Sequence, residues 1–161
     1  MPDASSATPA ALTGVDLNAD QALMLDQQLC FALYSSSLQL TRLYKPHLDA
    51  LGLTYPQYLV MLVLWEQNGL GVTQVGARLA LDSGTLTPLL KRMEARGLVK
   101  RSRDAQDERR VRLLLTQAGR ELKAQARSVP QGMRCLIGGE DADFVALRAS
   151  LQALRERLSQ A

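Results

Sequence analysis

Apolar residues recur at the period of an α-helix over most of the chain. Between residues 18 and 43 there is no Gly or Pro, and Leu25, Leu29 and Leu33 are spaced by whole helical turns with Cys30 beside them. This spacing predicts one long helix, which we expect Pro46 to interrupt.

A more uniformly apolar segment follows Gly52, which is expected to close a short helix. The segment TYPQYLVMLVLWEQNG begins with Thr54 and Gln57 in the spacing of a capping box and is apolar on nearly every side. It predicts a buried helix that ends near Gly69 and forms much of the core.

Two short helices joined by a tight link are predicted next, which is the helix-turn-helix pattern. The first, in VTQVGARLAL, has Thr73 as its expected cap, and the second, in DSGTLTPLLKRMEARG, has Asp82 or Ser83. Pro88 stands inside the second helix, where it removes one backbone hydrogen bond. Either this helix bends there, or Thr87 is the true cap.

Two strands and two further helices complete the pattern. LVKRSR and VRLLLT flank the polar DAQDER, and a hairpin directly after a helix-turn-helix is a wing. Thr116 is expected to cap a helix that runs to about Ser128 and is broken by Pro130 and Gly132, and DADFVALRASLQALRERL supplies a final amphipathic helix. The predicted fold class is mainly α with a small β-hairpin, in which a winged helix-turn-helix domain is joined to N- and C-terminal helices.

Composition narrows the class of protein. The chain has 161 residues, of which 47% are hydrophobic and 22% charged, as in soluble globular proteins. It has no apolar run of the roughly 18 residues that a membrane span needs and no secretory signal pattern, so we expect a cytoplasmic protein without a membrane partner. Two cysteines without a C-x-x-C pair and a single histidine, His47, argue against a metal site, and neither a metal nor a cofactor is expected.

Basic charge is concentrated in the predicted wing. From Lys100 to Arg112 there are six basic and three acidic residues, so this segment carries +3, which equals the formal net charge of the whole chain. A solvated polar hairpin would show the same cluster. Its place directly after a helix-turn-helix favours a contact with DNA.

The predicted contacts with double-stranded DNA lie on the second helix of the pair and on the wing. That helix docks in the major groove, where hydroxyl side chains reach bases or phosphates and cations reach the backbone. Arg109 near the wing tip is expected to enter the minor groove, with Asp107 holding its guanidinium by a bidentate pair. The full candidate set is Ser83, Thr85, Thr87, Pro88, Lys91, Arg92, Arg101, Arg103, Asp107, Arg109 and Arg110.

These residues carry a resemblance to a known family. MEARGLVKRSRDAQDERRVRLLLTQAGR resembles the wing signature of the MarR family of dimeric winged-helix transcription regulators, including the Asp107-x-Arg109 pair and LT-x-x-G after the second strand. LCFALY, LTYPQYLVML and LDSGTLTPLLKRME resemble its organic-hydroperoxide-responsive repressors, the OhrR type. The resemblance covers about Leu25 to Arg120.

The resemblance implies a homodimeric repressor that binds a pseudo-palindromic operator and releases it on reaction with an organic hydroperoxide. The expected domains are a disordered N-terminal tail (1–17), N-terminal helices for dimerisation and sensing (18–52), the DNA-binding winged helix-turn-helix (53–116) and C-terminal helices for dimerisation (117–161).

In this subgroup a cysteine of the first helix senses the peroxide, and Cys30 stands at that position. Its thiolate would attack the peroxide oxygen and become sulfenic acid. The resemblance assigns Tyr44 and Tyr55 as phenols that hydrogen-bond to the sulfur, and Tyr34, one turn from Cys30 on the same face, is a further candidate. Core packing is the other interpretation of these tyrosines.

Helix length bears on where those phenols come from. Tyr44 follows Cys30 by 14 residues, which is about 21 Å along an unbroken helix. Over that distance Tyr44 cannot reach its own Cys30 unless the helix folds back. The simpler solution, which we expect, is that Tyr44 and Tyr55 come from the other subunit. The sensor is then an interface site.

The second cysteine bears on the fate of the oxidised sulfur. Some members of the subgroup trap the sulfenic acid with a resolving cysteine near the C-terminal helices, and Cys135 fits that type. The neighbouring Arg134 would favour a thiolate there, and Pro130, Gly132, Gly138 and Gly139 indicate a loop able to move. The resemblance implies a disulfide between Cys30 of one chain and Cys135 of the other; a spare surface or interface cysteine is the alternative.

Three other functions stay open. One is a MarR-type repressor that releases DNA on binding a phenolic or other small ligand at the dimer interface. Another is a thiol peroxidase that uses Cys30 and Cys135, against which the winged helix and the lack of an Arg or His around Cys30 argue, so we expect no enzyme. The last is a structural DNA-binding protein with no sensing role.

Overall fold

The computed structural model describes residues 19–103 and 111–160, which form eight α-helices, one 3-10 turn and a two-stranded sheet. The chain divides into two compact units, Met1–Gln39 and Leu40–Ala161, which are described separately. In chain order the elements are α1 (Ala19–Ala22), the 3-10 turn (Leu25–Gln27), α2 (Leu29–Ala50), α3 (Tyr55–Glu66), α4 (Val72–Leu79), α5 (Ser83–Ala95), β1 (Val99–Arg103), β2 (Val111–Leu115), α6 (Gln117–Ala126), α7 (Ser128–Ile137) and α8 (Asp141–Ser159).

The first unit carries the start of α2. The predicted long helix is divided there, because α1 ends at Ala22 and α2 begins only at Leu29. The Gln28 backbone is extended, and its side-chain amide donates to the carbonyl oxygens of Ala22 and Met24. These bonds occupy acceptors that a continuous helix would use, so the prediction of one helix from residue 18 was wrong at this end.

In the second unit, α2 continues through Pro46, contrary to the expected interruption. A proline inside a helix removes one hydrogen bond, but the residues around it are packed. Leu48 is 1% exposed, and Tyr44 lies against the core. Packing of this face stabilises the helix across the proline.

The apolar α3 supports the helix-turn-helix formed by α4 and α5. Its start agrees with the prediction, since the Thr54 N–H donates to Gln57 Oε1 at 2.9 Å. The cap of α4 is Gly71 and not Thr73, because the Gly71 N–H finds its acceptor in Gln74 Oε1 at 2.8 Å.

The second helix of the pair, α5, is capped by Asp82. Its carboxylate accepts from the Thr85 N–H at 2.8 Å, which confirms one of the two predicted caps. Pro88 lies within α5, so the alternative with Thr87 as the cap was wrong.

The two predicted strands pair antiparallel, from Val99 opposite Leu115 to Arg103 opposite Val111. Thr116 then caps α6 as predicted, its hydroxyl accepting from the Gly119 N–H at 3.1 Å. The hairpin therefore leads directly into α6. The connecting DAQDER lies outside the described residues.

The expected break after α6 does not occur at Pro130 or Gly132, because both lie inside α7. Pro130 is the third residue of α7, where a backbone N–H has no partner within the helix in any case. Gly132 lies against His47 of α2, and a Cβ there would be 2.7 Å from the His47 Cε1. The glycine thus allows close packing of α7 on α2.

The core of the second unit is centred on α3, α5 and the sheet, and α2, α4, α6 and α7 also contribute buried side chains to it. Val60, Met61, Leu90, Met93 and Leu113 are all fully buried. Three quarters of the described residues are helical, and the same residues contain one two-stranded hairpin and the helix-turn-helix, so the predicted fold class is confirmed. Among the described residues no single helix could cross a bilayer; α2 and α3 meet the length and apolarity requirement only together, as a pair bent by 72°.

Candidate functional site

Cys30 lies in the first turn of α2 and is exposed in the single chain. Tyr34, one turn later, is 62% exposed, and the flanking Leu29 and Leu33 are exposed as well. The thiol is therefore accessible in the single chain and is not a residue of its core. It stands on an apolar surface.

Three tyrosines of the second unit form one aromatic cluster. The ring centroids of Tyr44 in α2 and Tyr55 at the start of α3 are 5.1 Å apart, and Tyr58 lies 6.0 Å from Tyr44. The structure thus brings the two predicted phenols together. Tyr58, which is 3% exposed, was not identified from the sequence. Its position one turn after Tyr55 on α3 was the available signal.

Burial raises the pKa of all three phenols. Desolvation is the main cause in each case, and for Tyr44 the neighbouring Tyr55 adds to it. The phenols are therefore protonated at neutral pH, and their O–H groups are suited to donate a hydrogen bond to an anion such as a thiolate.

Cys135 lies in α7 and is exposed. The guanidinium of Arg134 is held by the start of α8: it forms an ion pair with Asp141 and lies 5.3 Å from the ring centroid of Phe144. Arg134 thus has an acidic partner on α8, and its effect on the Cys135 thiol stays a prediction. Of the residues expected to form a loop, Pro130 and Gly132 lie inside α7, whereas Gly138 and Gly139, both with positive φ, lie between α7 and α8.

Most of the predicted DNA contacts on α5 lie at the surface, and one of them is also part of the helix cap. The Thr85 hydroxyl donates to Asp82 Oδ2 at 2.9 Å. Thr87 is half-buried. The exposed candidates on α5 and β1 are Ser83, Thr85, Pro88, Lys91, Arg92 and Arg103. Asp107, Arg109 and Arg110, and the predicted pairing of the first two, lie outside the described residues.

Arg101 lies on β1 of the wing, and its side chain is half-buried against α5. Its backbone N–H donates to Glu94 Oε1 at 3.1 Å, and its Nε lies 3.6 Å from Glu94 Oε2. Its Nη2 donates to the Thr87 carbonyl oxygen at 3.4 Å. The residue therefore joins β1 to α5.

The sequence matches known regulators. Residues 42–126 match the family model described as transcriptional regulator SarA/Rot. Over 138 residues the chain is 48% identical to the organic hydroperoxide resistance transcriptional regulator of Bacillus subtilis (strain 168). The match covers 86% of this chain and 94% of that protein.

Solved structures of similar fold include that of AbfR of Staphylococcus epidermidis. Reduced AbfR bound to DNA has a TM-score of 0.72 at 35% identity, over 84% of this chain and 93% of that chain. Disulfide-formed AbfR has a TM-score of 0.58 at 38% identity, over 81% and 91%. CouR of Rhodococcus jostii RHA1 bound to p-coumaroyl-CoA has a TM-score of 0.71 at 26% identity, over 82% and 94%.

The matched family model spans more than half of the chain, and the Bacillus subtilis relative is covered almost completely. The family consists of transcriptional regulators, in agreement with the expectation of a regulator rather than an enzyme. The chain belongs to the SarA/Rot family of MarR-like winged-helix transcriptional regulators.

Proposed function

We propose that this chain is a cytoplasmic, homodimeric repressor that binds operator DNA and releases it when an organic hydroperoxide oxidises Cys30. The observation that carries the proposal is the exposed Cys30 thiol on an apolar helix surface, in a chain 48% identical to a regulator named for organic hydroperoxide resistance. A cytosolic setting keeps thiols reduced, so a disulfide formed there is a signal.

DNA binding is supported by the winged helix and by AbfR, which was solved on DNA. In a dimer, two copies of α5 about 34 Å apart would read a pseudo-palindrome. Apolar side chains on α8 that are exposed in the single chain, namely Val145, Leu147 and Leu151, supply surface for such an interface.

The redox step needs no metal. The Cys30 thiolate attacks one oxygen of the hydroperoxide, an S–O bond forms, the O–O bond breaks, and the alcohol leaves with a proton, so that sulfenic acid remains. The thiolate of Cys135 from the partner chain then attacks the Cys30 sulfur, an S–S bond forms and the S–O bond breaks, and the hydroxide that leaves takes up a proton from solvent to become water. Tyr44 and Tyr55 of the partner would donate hydrogen bonds to the Cys30 thiolate. The separation of 14 residues between Cys30 and Tyr44 supports a partner origin, because it corresponds to about 21 Å along a helix.

Treatment of the reduced protein with one equivalent of cumene hydroperoxide tests the proposal. Operator affinity should fall, and a disulfide-linked dimer should appear on non-reducing gels. Cys135→Ser should remove the linked dimer and leave operator binding by the reduced protein unchanged. An unchanged dimer band in that variant would mean that Cys135 is not the resolving thiol, and unchanged affinity of the oxidised wild-type protein would contradict the proposal as a whole.

Arg101 is expected to position the wing rather than to contact a phosphate. Arg101→Met removes the 3.6 Å ion pair with Glu94 Oε2 and the 3.4 Å hydrogen bond to the Thr87 carbonyl oxygen. The wing then loses its side-chain contact with α5, and operator affinity should fall by roughly tenfold, which corresponds to about 1.4 kcal/mol. The slope of log K against log salt concentration should stay unchanged, because no phosphate contact is lost. Arg103→Met, on the same strand but exposed, is the matched control and should flatten the slope by about one. Equal flattening in both variants would make Arg101 a phosphate contact.

One observation favours a small-ligand regulator as a second function. A cavity of about 330 Å³ lies at the α2–α3 turn, with Arg42, Lys45, Leu53 and Tyr55 in its wall. CouR, a neighbour in fold, was solved with p-coumaroyl-CoA. Titration of thiols before and after the peroxide separates the two functions, since a small-ligand regulator would not lose thiols when it releases DNA.

A further inference from the structure

In the first turn of α5, the Thr85 hydroxyl is hydrogen-bonded to Asp82, the residue that caps the helix. Asp82 Oδ1 accepts from the Thr85 N–H at 2.8 Å, and Asp82 Oδ2 accepts from the Thr85 hydroxyl at 2.9 Å. These two bonds are the largest causes that lower the pKa of Asp82, which is therefore an ionised acceptor at neutral pH. The hydroxyl proton of Thr85 is thus not free for a phosphate or a base.

The methyl group is the part of the Thr85 side chain that remains available for a contact with DNA. The side chain is exposed, and its other Cβ substituent is bound to Asp82. Pro88 is also exposed and lies three residues further on α5, so the two side chains share one helix face. Together they form a small apolar patch at the start of a helix that otherwise presents hydroxyls and cations.

Pro88 strengthens this interpretation because its ring has no polar group. A proline inside a helix is destabilising, and an exposed one contributes little packing in return. Natural sequences break such local rules mainly at functional sites.

We propose that Thr85 and Pro88 recognise the 5-methyl group of thymine in the major groove. The inference rests on the proposed DNA binding through α5. Among the base edges of the major groove only thymine presents a methyl group, and a threonine methyl is a suitable apolar partner for it. The patch therefore determines operator sequence by shape and apolar contact, whereas Lys91 and Arg92 contact the backbone.

The probe for the test is the tightest duplex selected by the reduced full-length dimer from a random library of about 30 bp, which holds two half-sites one helical turn apart. Each thymine is then replaced in turn by deoxyuridine, which pairs identically but lacks the methyl group. At one position per half-site this change should weaken binding about fourfold, and about 15-fold when both half-sites are changed.

Two variants assign that effect to Thr85. Thr85→Ser keeps the hydroxyl and its bond to Asp82, so it should fold normally, bind the thymine duplex about fourfold more weakly per half-site, and no longer distinguish thymine from uracil there. Thr85→Val keeps a methyl group and should retain the discrimination.

The possible outcomes distinguish a failure of the proposed thymine recognition from a failure of the proposed DNA binding. Equal binding of the thymine and uracil duplexes at every position would overturn the inference while DNA binding stands, as would full discrimination in both Thr85→Ser and Pro88→Ala. Failure of the reduced protein to select any duplex would instead contradict the proposed function.

Discussion

Cys30→Ser is expected to bind the operator as the wild-type protein does and to ignore organic hydroperoxide. A serine hydroxyl is nearly the size of a thiol but does not ionise near neutral pH, so no nucleophile is available to attack the peroxide. Because the position is exposed at the start of α2, the exchange should not disturb the fold.

The effect is measured as the ratio of operator Kd after and before peroxide treatment. For the wild-type protein we expect a ratio of about 5–150, the usual size of an allosteric coupling. For Cys30→Ser the ratio should stay at about 1. Mass spectrometry of both cysteines in the same samples shows where oxygen was added. If the peroxide released the Cys30→Ser protein from the operator, Cys30 would not be the sensing residue.

The second large effect is expected from Gly119→Ala, the glycine of LT-x-x-G. A Cβ at this position would lie 2.1 Å from the Leu98 carbonyl oxygen and 3.2 Å from its carbonyl carbon. That oxygen accepts from the Thr116 N–H at 3.1 Å, so it cannot move away without breaking this hydrogen bond directly before α6. Overpacking of this kind typically costs about 1–3 kcal/mol, and we expect the upper end here because the clash is with backbone atoms.

Urea unfolding at a fixed dimer concentration measures this loss of stability. Trp65 is a local reporter, because its indole N–H donates to the Gly119 carbonyl oxygen at 2.8 Å and it is the only tryptophan of the chain. The control is Gln117→Ala, an exposed position in the same helix turn, which should change the free energy of unfolding by less than about 0.5 kcal/mol. Stability of Gly119→Ala equal to that of the control would contradict the close approach of α6 to Leu98.

The elements that were predicted correctly are those with signals inside a few residues. Thr54 with Gln57, Asp82 and Thr116 each satisfy backbone N–H groups of the helix that they begin, and this chemistry is local. The wing strands follow from the same kind of short-range pattern. The elements that were predicted wrongly involve the residues that usually end helices.

The wrong predictions at Pro46, Pro130 and Gly132 have physical reasons in the packing or in the position within the helix. Pro46 is tolerated because packing supports α2 around it, and Gly132 lies inside a helix because the His47 ring fills the space above it. Pro130 happens to fall in a first turn, where its missing N–H costs nothing. None of these neighbours is visible from spacing along the chain.

The helix-turn-helix, the wing strands, the positions of the two cysteines and the charge of the wing could all be predicted from residue order, because each depends on residue type and on contacts within a few positions. The packing of separate elements was needed to show that Tyr58 of α3 joins Tyr44 of α2, and that Arg134 of α7 binds Asp141 of α8. A side chain with several possible partners takes the one that folding brings within reach. That choice depends on distances between elements, which residue order alone does not specify.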